Sequence, residues 1–357
     1  MPISRRQFIA GTLAGLSVNP IVGVAAPSKK VGVALLGLGY YSTDVLAPAF
    51  KFTKHCKLKG IVTGSPSKIP SWQTRYGISD GNVYTYDNMH SIANNDEIDV
   101  VYVVTPTATH LKFALMAAAA GKHVWCEKPM AMTVKECQGM ITACKKNNVK
   151  LSIGYRMQHE PNTRAMAELG ATNPFGNIQA VSAFAGYAGR AGPSDYWRMK
   201  PEMGGGALYD MGVYAINGVR YVTGLEPTAV KARIEHTAGF DHVDATTYFT
   251  LQLPSGVEAD CGTSVVKGFN HLKIQCKNGW YELNPMQPYS GVVAKSSTGL
   301  VLPAFEGNQQ AKQMDDDALA ILLDKAVMVP GEEGLKDINI VEKAFISANS
   351  NQAFVNV

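Results

Sequence analysis

Apolar runs alternate with amphipathic stretches in the first part of the chain. Val31–Leu36 and Asp99–Val104 are two such runs, typical of strands buried on both faces. Further strands are predicted at 58–62, 123–126 and 150–153, and helices at 72–77, 111–120 and 134–147. Alternating strands and helices predict an α/β fold, with a Rossmann-type, doubly wound parallel sheet over residues 31–153.

The pattern changes after this unit to apolar and polar residues in strand-like alternation. Strands are predicted at 178–188, 228–234, 245–253, 257–264 and 271–275, and Pro254-Ser255-Gly256 forms a turn between two of them. We therefore expect residues 154–357 to form an α+β domain with an open, mostly antiparallel sheet. One face of such a sheet packs helices and the other packs a partner, so a homodimer is predicted.

Composition narrows the class of protein. The 357 residues suggest two domains, and 46% hydrophobic with 17% charged residues is typical of a globular chain. The net charge of +4 gives no reason to expect nucleic acid as a partner. No apolar run beyond the first 26 residues is long enough to span a membrane. Neither the six cysteines nor His159 and Glu160 have the spacing of metal ligands, so no metal is predicted.

The first residues resemble an export signal. Ser4-Arg5-Arg6-Gln7-Phe8 precedes a Gly- and Ala-rich apolar run that ends at Ala26. Twin arginines before a weakly apolar segment predict a Tat signal and short linker over residues 1–30, recognition by the Tat export machinery, and a periplasmic protein. The alternative is an ordinary N-terminal helix that starts at Ser4.

A glycine loop follows the first predicted strand. Gly37-Leu38-Gly39 leads into a helix, with Ser42 where a third glycine or alanine usually stands. Gly37 permits a tight turn, and Gly39 lets backbone N–H groups approach a pyrophosphate at the helix N-terminus. Between strand and helix this motif predicts a dinucleotide site. The alternative is a glycine loop without a ligand.

The second strand indicates which dinucleotide is bound. NAD enzymes usually place an acidic residue at its end for the ribose 2′-hydroxyl. Here residues 63–68 contain no acid but include Ser65 and Lys68, which suit a 2′-phosphate. NADP is therefore predicted, unless Lys68 is only a solvated loop residue.

Polar residues at the ends of later strands complete the candidate site. Thr105 and Thr107 follow the strand at 99–104, and Glu127-Lys128-Pro129 follows the strand at 123–126. Ligands bind at this edge of open parallel sheets, so Lys128 is expected in the crevice. In the second domain Asp210 and Tyr214, four residues apart, are predicted to share a helix face. A phenol beside a carboxylate and a lysine suits a general acid/base, although the spacing alone favours a core tyrosine bonded to Asp210.

Together these motifs resemble the Gfo/Idh/MocA family, and within it the branch of glucose–fructose and aldose–aldose oxidoreductases. The resemblance is carried by Gly37-x-Gly39, Thr105-Pro106-x-x-x-His110, Glu127-Lys128-Pro129, Gly154-Tyr155-Arg156, Trp197-Arg198 and the run 204–214. It implies that Lys128, Asp210 and Tyr214 are catalytic. It also implies a cis bond before Pro129 and a dimer formed through the second sheet.

The predicted site follows from these motifs and the resemblance. The predicted cofactor-binding residues are Gly37, Leu38, Gly39, Tyr40, Tyr41, Ser65, Lys68, Tyr86, Thr105, Pro106, Thr107, His110, Glu127, Lys128, Arg156, Trp197 and Arg198. Substrate is expected at Lys128, Tyr155, Asp210 and Tyr214. Trp197 is expected to stack on the cofactor or the sugar. The alternative is that it packs against an interdomain loop.

The predicted function is a periplasmic, NADP-dependent sugar oxidoreductase. A cyclic aldose is oxidised at C1 to the lactone, and tightly bound NADP passes the hydride to a second sugar, which becomes an alditol. One alternative is an NADP-dependent dehydrogenase of an aldose or cyclic diol that releases NADPH in each cycle. The other is a nucleotide- or sugar-binding protein without catalysis. The triplet Asp315–Asp317 is expected to be a solvated, acidic helix start.

Overall fold

The first sheet is the parallel sheet predicted from the sequence. The computed structural model describes residues 29–357, so the predicted Tat signal lies outside the described residues. Six strands pair in the order β3-β2-β1-β4-β5-β6, all of them parallel. Their bounds are β1 Val31–Leu36, β2 Cys56–Val62, β3 Val83–Tyr84, β4 Val100–Val103, β5 His123–Cys126 and β6 Leu151–Ile153. The predicted Rossmann sheet is confirmed.

Helices cover this sheet and continue into the second half of the chain. The first helix, α1, has π geometry over Tyr41–Leu46 and α geometry over Ala47–Ala49. The next are α2 Ile69–Tyr76, α3 His110–Ala119, α4 Val134–Lys146, α5 Arg156–His159 and α6 Pro161–Thr172. Helix α4 begins with a capping box, in which Thr133 and Glu136 satisfy each other's backbone N–H groups.

A second sheet of nine strands carries the other half of the fold. Its order is β14-β13-β12-β11-β7-β10-β9-β8-β15, and only β7 and β10 pair in parallel. The bounds are β7 Ile178–Gly186, β8 Ala229–Glu235, β9 Thr246–Gln252, β10 Glu258–Ser264, β11 Asn270–Cys276, β12 Gly279–Leu283, β13 Ala294–Ser296, β14 Val301–Leu302 and β15 Val355–Asn356. The mostly antiparallel sheet is confirmed, although β12 to β15 are not predicted from the sequence.

Among residues 29–357, a helix packs on one face of the second sheet, and aromatic rings occupy the opposite face. Helix α7 has π geometry over Leu208–Gly212 and α geometry over Val213–Thr223, and it lies on β7, β10 and β11. On the opposite face the rings of Phe184, Tyr248, Phe269 and His271 contact one another, with centroid distances from Phe184 to Phe269 and to His271 of 5.2 and 5.1 Å.

The last two long helices return to the first sheet. Helix α8 Gln309–Leu322 packs on β1 and β2, and α9 Gly331–Asn349 packs on both α4 and β8. The main core cluster therefore runs through both halves, and Met314 and Ala318 of α8 share a second cluster with Val33 of β1.

The acidic triplet lies in the middle of α8 rather than at its start. The Asp315 carboxylate accepts hydrogen bonds from the backbone N–H groups of Lys54 and His55 at 2.8–2.9 Å. Asp317 is fully buried and accepts a 2.7 Å hydrogen bond from the Ser152 hydroxyl. The expected helix start is wrong, because the triplet lies mid-helix, and the expected solvation is wrong for Asp317, which is buried, whereas Asp315 and Asp316 stay partly exposed.

Within residues 29–357, none of the helices combines the length and the apolar character needed to cross a bilayer.

Candidate active site

A cavity of about 1050 Å³ lies where the two halves of the chain meet. The glycine loop after β1 and the segments after β4 and β5 form one side of it. The other side comes from α7, from the segment before it, and from the connection between β12 and β13. This position, at the carboxyl ends of parallel strands, is where open α/β sheets bind ligands.

The glycine loop leaves room for a ligand. Gly37 has φ +91°, and a Cβ atom there would lie 2.5 Å from the carbonyl oxygen of Val104. A Cβ atom on Gly39 would meet no atom within 4 Å, because this residue borders the open cavity. Ser42 is buried, and its hydroxyl donates to the Gly37 carbonyl. The first glycine thus shapes the turn, and the second keeps the backbone accessible.

Lys128 reaches across the cavity from the end of β5. Its Nζ donates a 2.8 Å hydrogen bond to the backbone carbonyl of Asp210 and lies 3.7 Å from the Asp210 carboxylate. The same Nζ lies 4.7 Å from the ring centroid of Tyr214. The peptide bond between Lys128 and Pro129 is cis, as the family resemblance implies. The ammonium is therefore held beside both polar residues of α7.

Asp210 is a buried carboxylate with several partners. Its Oδ2 accepts from Arg198 Nε at 3.0 Å and from the Tyr187 hydroxyl at 3.4 Å. Burial alone raises the pKa of this carboxyl, but the charges of Lys128 and Arg198 outweigh burial, and the net pKa of Asp210 is below its ordinary value. The residue is thus held as a carboxylate.

The helix that carries Asp210 and Tyr214 is not a regular α-helix at that point. Its π segment, Leu208–Gly212, contains Asp210, whereas Tyr214 lies in the following α segment. The sequence predicts that Asp210 and Tyr214 are an i, i+4 pair on a regular α-helix. This is corrected, because a π turn holds an extra residue and changes the spacing around the helix. Such π segments occur frequently at functional sites.

A second buried carboxylate fixes the start of this helix. Asp244 Oδ2 accepts from the backbone N–H of Leu208 at 2.8 Å and from the Thr247 hydroxyl at 2.6 Å. Burial raises the pKa of Asp244 to about 6. Gly206 has φ +98°, and a Cβ atom there would lie 2.1 Å from Asp244 Oδ1. A glycine is therefore required where the chain passes this carboxylate.

Arg198 connects the carboxylate of Asp210 to the aromatic rim of the cavity. Its guanidinium lies 4.4 Å from the ring centroid of Trp197 and bonds to the Tyr196 hydroxyl. Trp197, Arg198 and Tyr196 all line the cavity. Trp197 thus stacks on Arg198 and borders the cavity at the same time.

The sequence and the structure both match known oxidoreductases. The model "Oxidoreductase family, NAD-binding Rossmann fold" matches residues 31–155, and the model "GFO/IDH/MocA C-terminal domain" matches residues 163–282. Aldose–aldose oxidoreductase from Caulobacter crescentus, solved in complex with glycerol, is 35% identical with a TM-score of 0.87, covering 92% of this chain and 100% of that one. The chain belongs to the Gfo/Idh/MocA family.

Two further relatives extend this comparison. D-xylose 1-dehydrogenase [NADP(+)] from Haloarcula marismortui is 27% identical over 335 residues, which cover 90% of this chain and 91% of the relative. Scyllo-inositol dehydrogenase from Lactobacillus casei, solved with NAD(H) and scyllo-inositol, has a TM-score of 0.76 at 18% identity and covers 92% of this chain and 99% of that one. This protein is thus an oxidoreductase of the Gfo/Idh/MocA family with an NAD(P)-binding Rossmann domain.

Most of the residues predicted for the site line one cavity. They are Gly37, Leu38, Gly39, Tyr40, Tyr41, Ser65, Lys68, Tyr86, Thr105, Pro106, Thr107, Glu127, Lys128, Trp197, Arg198, Asp210 and Tyr214. Lys68 Nζ donates a 2.6 Å hydrogen bond to the Leu38 carbonyl, so it lies against the glycine loop. The Glu127 carboxylate accepts a 2.6 Å hydrogen bond from the Tyr102 hydroxyl, and burial raises the pKa of Glu127.

Three predicted residues, His110, Tyr155 and Arg156, do not line the cavity. All three are buried, with at most 1% of their surface exposed. Tyr155 lies in the core that joins the two halves, and the guanidinium of Arg156 contacts the Tyr214 ring from behind, at 5.4 Å. The sequence predicts that these three residues contact cofactor or substrate directly. The structure instead places them behind the cavity wall.

His110 joins two of the segments that form that wall. Its Nε2 lies 2.8 Å from the Thr105 carbonyl oxygen, and its Nδ1 lies 3.0 Å from the Pro129 carbonyl oxygen. Burial lowers the pKa of His110. The ring therefore fixes the ends of β4 and β5 relative to each other.

Several cavity residues are not predicted from the sequence. They are Thr63, Tyr187, Tyr196, Gly204, Met211, Gln287, Pro288 and Tyr289, together with Val104 and Pro129. Tyr187 directly follows β7, and a polar residue just past a strand end is a signal that sequence reasoning can use. Tyr289 lies in an irregular connection without any such signal. Among residues 29–357, no three His, Cys, Asp or Glu side chains are grouped as metal ligands.

Proposed function

We propose that this protein is a periplasmic, NADP-dependent sugar oxidoreductase that couples two sugars. A cyclic aldose is oxidised at C1 to the lactone, and a ketose or second aldose is reduced to the alditol. The observation that carries the proposal is the position of Lys128, whose Nζ lies 2.8 Å from the Asp210 carbonyl and 4.7 Å from the Tyr214 ring. The same cavity is bordered by the glycine loop.

The residues around the cavity suit a dinucleotide. Gly39 leaves the backbone beside the cavity open, and first-turn N–H groups of a helix favour a pyrophosphate. Ser65 and Lys68 also border the cavity, and residues 63–68 include no acid, which favours a 2′-phosphate and hence NADP. Bound NADP supplies the hydride acceptor for the first sugar and the hydride donor for the second.

The chain's own residues handle the substrate and the proton. Tyr214 Oη takes the proton of the C1 hydroxyl as a general base and returns a proton during the reduction. Lys128 holds and polarises that hydroxyl. Asp210 orients the substrate, and its carboxylate is in turn held by Arg198 at 3.0 Å. This division of roles also agrees with the similarity to an aldose–aldose oxidoreductase.

The periplasmic location rests on the sequence of the first 26 residues. Arg5 and Arg6 precede the apolar run, as in a Tat signal. Tat systems carry folded proteins, so a cofactor taken up in the cytoplasm is exported with the protein. The periplasm does not supply free NADP(H), which favours a cofactor that is recycled in place.

We also propose that the protein is a homodimer that assembles through the second sheet. The unpaired face of this sheet carries contacting rings of Phe184, Tyr248, Phe269 and His271. A group of aromatic side chains on an open sheet face is typical of an interface. Sedimentation of the wild type and of Phe184→Glu tests this: the variant is expected to sediment as a monomer.

A simple dehydrogenase is the second candidate function. It is favoured by the similarity to D-xylose 1-dehydrogenase, which extends over 90% of the chain. Such an enzyme oxidises the aldose in the same way but releases NADPH after every turnover.

The two functions differ in what happens after the first half-reaction. NADP-loaded protein is mixed with an aldose alone, and the absorbance of reduced nicotinamide is followed before and after a second sugar is added. The proposal predicts one equivalent of reduced cofactor, which is reoxidised by the second sugar. Continuous formation of NADPH from added NADP would indicate the dehydrogenase. No reduction by any aldose would indicate a binding protein instead.

A further inference from the structure

Residues 287–289 form a wall of the cavity opposite the glycine loop. They lie in the connection between β12 and β13, so they belong to the second sheet. Gln287, Pro288 and Tyr289 all border the same cavity as Gly37 and Gly39. A ligand that lies along the glycine loop therefore faces both halves of the chain.

Tyr289 reaches the first residue of α1, two positions after the glycine loop. Its ring centroid lies 5.9 Å from that of Tyr41, with the ring planes tilted by 46°. This spacing is within the range of favourable aromatic contacts. Tyr289 is nevertheless 46% exposed, a large value for an aromatic ring. The two rings thus bridge the cleft, and part of the Tyr289 surface is left for a ligand to cover.

The main chain of this segment is held by polar side chains. Asn270 Oδ1 accepts from the backbone N–H groups of Met286 and Gln287, both at 2.9 Å. The Arg156 guanidinium donates to the backbone carbonyls of Gln287 and Pro288, the latter at 3.1 Å. It also lies 5.0 Å from the Tyr289 ring centroid. The segment is therefore fixed, although it has no regular secondary structure.

Arg156, which positions this segment, is a buried charged side chain. It is 1% exposed, and among residues 29–357 no carboxylate lies within ion-pair distance of its guanidinium. Its buried Nε–H group has no hydrogen-bond partner in the described part of the chain. A buried cation without a salt bridge is costly, and the charge of Arg156 acts on the Glu127 carboxylate, which lines the same cavity. A ligand that carries phosphate would benefit from that charge.

We infer that Tyr289 is a cofactor-binding residue, which covers the pyrophosphate and nicotinamide ribose of the dinucleotide, and that Arg156 is its positioning residue. The bound dinucleotide lies between the glycine loop of the first half and Tyr289 of the second. It cannot leave until these two walls separate, so Tyr289 slows its release. The inference rests on the proposed function only in that a nicotinamide dinucleotide occupies the cleft.

The rate of NADPH release tests this inference. Full-length protein loaded with NADPH is mixed with excess NADP in a stopped-flow instrument, and the loss of bound-NADPH fluorescence is recorded. Tyr289→Ala is expected to release NADPH about 10-fold faster or more, because it loses the apolar contact of a ring. Tyr289→Phe is expected to stay within about 3-fold of the wild type, because it keeps the ring.

Two controls separate binding from folding. Phe354 is a partly exposed aromatic residue that does not line the cavity, and Phe354→Ala should leave the release rate unchanged. Arg156→Gln removes the charge behind the segment and is expected to accelerate release. Because Arg156 is buried, its replacement also lowers stability, so Tyr289→Leu serves as the second variant at the exposed position. Wild-type release rates in both Tyr289→Ala and Tyr289→Leu would overturn the inference.

The outcome is independent of the sugar chemistry. A protein that shows Tyr289-dependent NADPH release but no hydride transfer between sugars would refute the proposed function and leave this inference standing. A protein that couples two sugars but releases NADPH equally fast with and without the Tyr289 ring would refute this inference and leave the proposed function standing.

Discussion

The ammonium of Lys128 is bound to the main chain of Asp210 rather than to its side chain. Nζ lies 2.8 Å from the backbone carbonyl oxygen but 3.7 Å from the carboxylate, which instead bonds to Arg198 at 3.0 Å. The position of Lys128 therefore depends on the π segment of α7, whereas the carboxylate of Asp210 is directed towards Arg198. The two residues can be tested separately.

Removing the lysine or the phenol should abolish most turnover. Lys128→Ala and Tyr214→Phe are each expected to lower kcat by about 10²–10⁴-fold, since each takes away a group that handles the substrate proton. NADPH binding, measured by fluorescence titration, should remain. Lys112→Ala, on the exposed side of α3, is the matched control. Near-normal turnover in both active-site variants would refute the assigned roles.

Neutralising Asp210 should be less damaging than removing Lys128. Asp210→Asn keeps the backbone carbonyl that holds Lys128 but weakens the charged hydrogen bond to Arg198. We expect a loss in kcat/KM of about 10-fold, the usual effect of one charge-assisted hydrogen bond. Steady-state kinetics of Asp210→Asn beside Lys128→Ala provide the comparison. Equal losses would mean that the carboxylate itself transfers a proton.

The preference for NADP should depend on Lys68. Lys68→Ala is expected to weaken NADP binding by about 10–100-fold, because a charged contact to the 2′-phosphate is lost. NAD, which lacks that phosphate, should bind as before. Isothermal titration calorimetry measures the affinity for each nucleotide, and Lys51→Ala is a control at an exposed position. A similar loss for both nucleotides would contradict the assignment of NADP.

Asp244 should make the protein less stable as the pH rises. Burial raises its pKa in the folded chain from 3.8 to about 6, so the fold binds this proton more tightly than the unfolded chain does. Its contribution to the free energy of unfolding therefore falls between about pH 4 and pH 6, by roughly 3 kcal/mol in all.

Asp244→Asn removes that dependence and keeps an acceptor for the Leu208 N–H. Urea unfolding at several pH values should show that the difference between variant and wild type shifts in favour of the variant as the pH rises from about 4 to about 6. Asp317, whose pKa is also raised to about 6, contributes in the same direction to both proteins and cancels in the difference. A difference that is independent of pH would contradict the assignment.

The first half of the fold was predictable because parallel strands are buried on both faces. Val31–Leu36 is apolar throughout, and the position of the glycine loop and of Lys128 follows from the strands that precede them. The same logic places Thr105 at the end of β4. Each of these residues is adjacent in sequence to the strand that positions it.

Other parts depend on contacts that no local pattern encodes. The π segment around Asp210 has the composition of an ordinary helix, and Asp244 fixes its start from a loop beyond β8. Tyr289 is positioned by Arg156, a residue more than 100 positions away. The short strands β13 and β14 have three and two residues, too few to produce an alternation.

Because α8 returns to the first sheet, the first half of the fold includes residues from the second half of the chain. Gln313 of α8 donates to the Tyr102 hydroxyl, which donates to Glu127, the neighbour of Lys128. A fragment cut after β6 would expose the apolar surface of Val33 and Leu35 that Met314 and Ala318 cover. The first sheet is thus completed by α8, a helix more than 150 residues further along the chain, which also contributes to the hydrogen bonds beside Lys128.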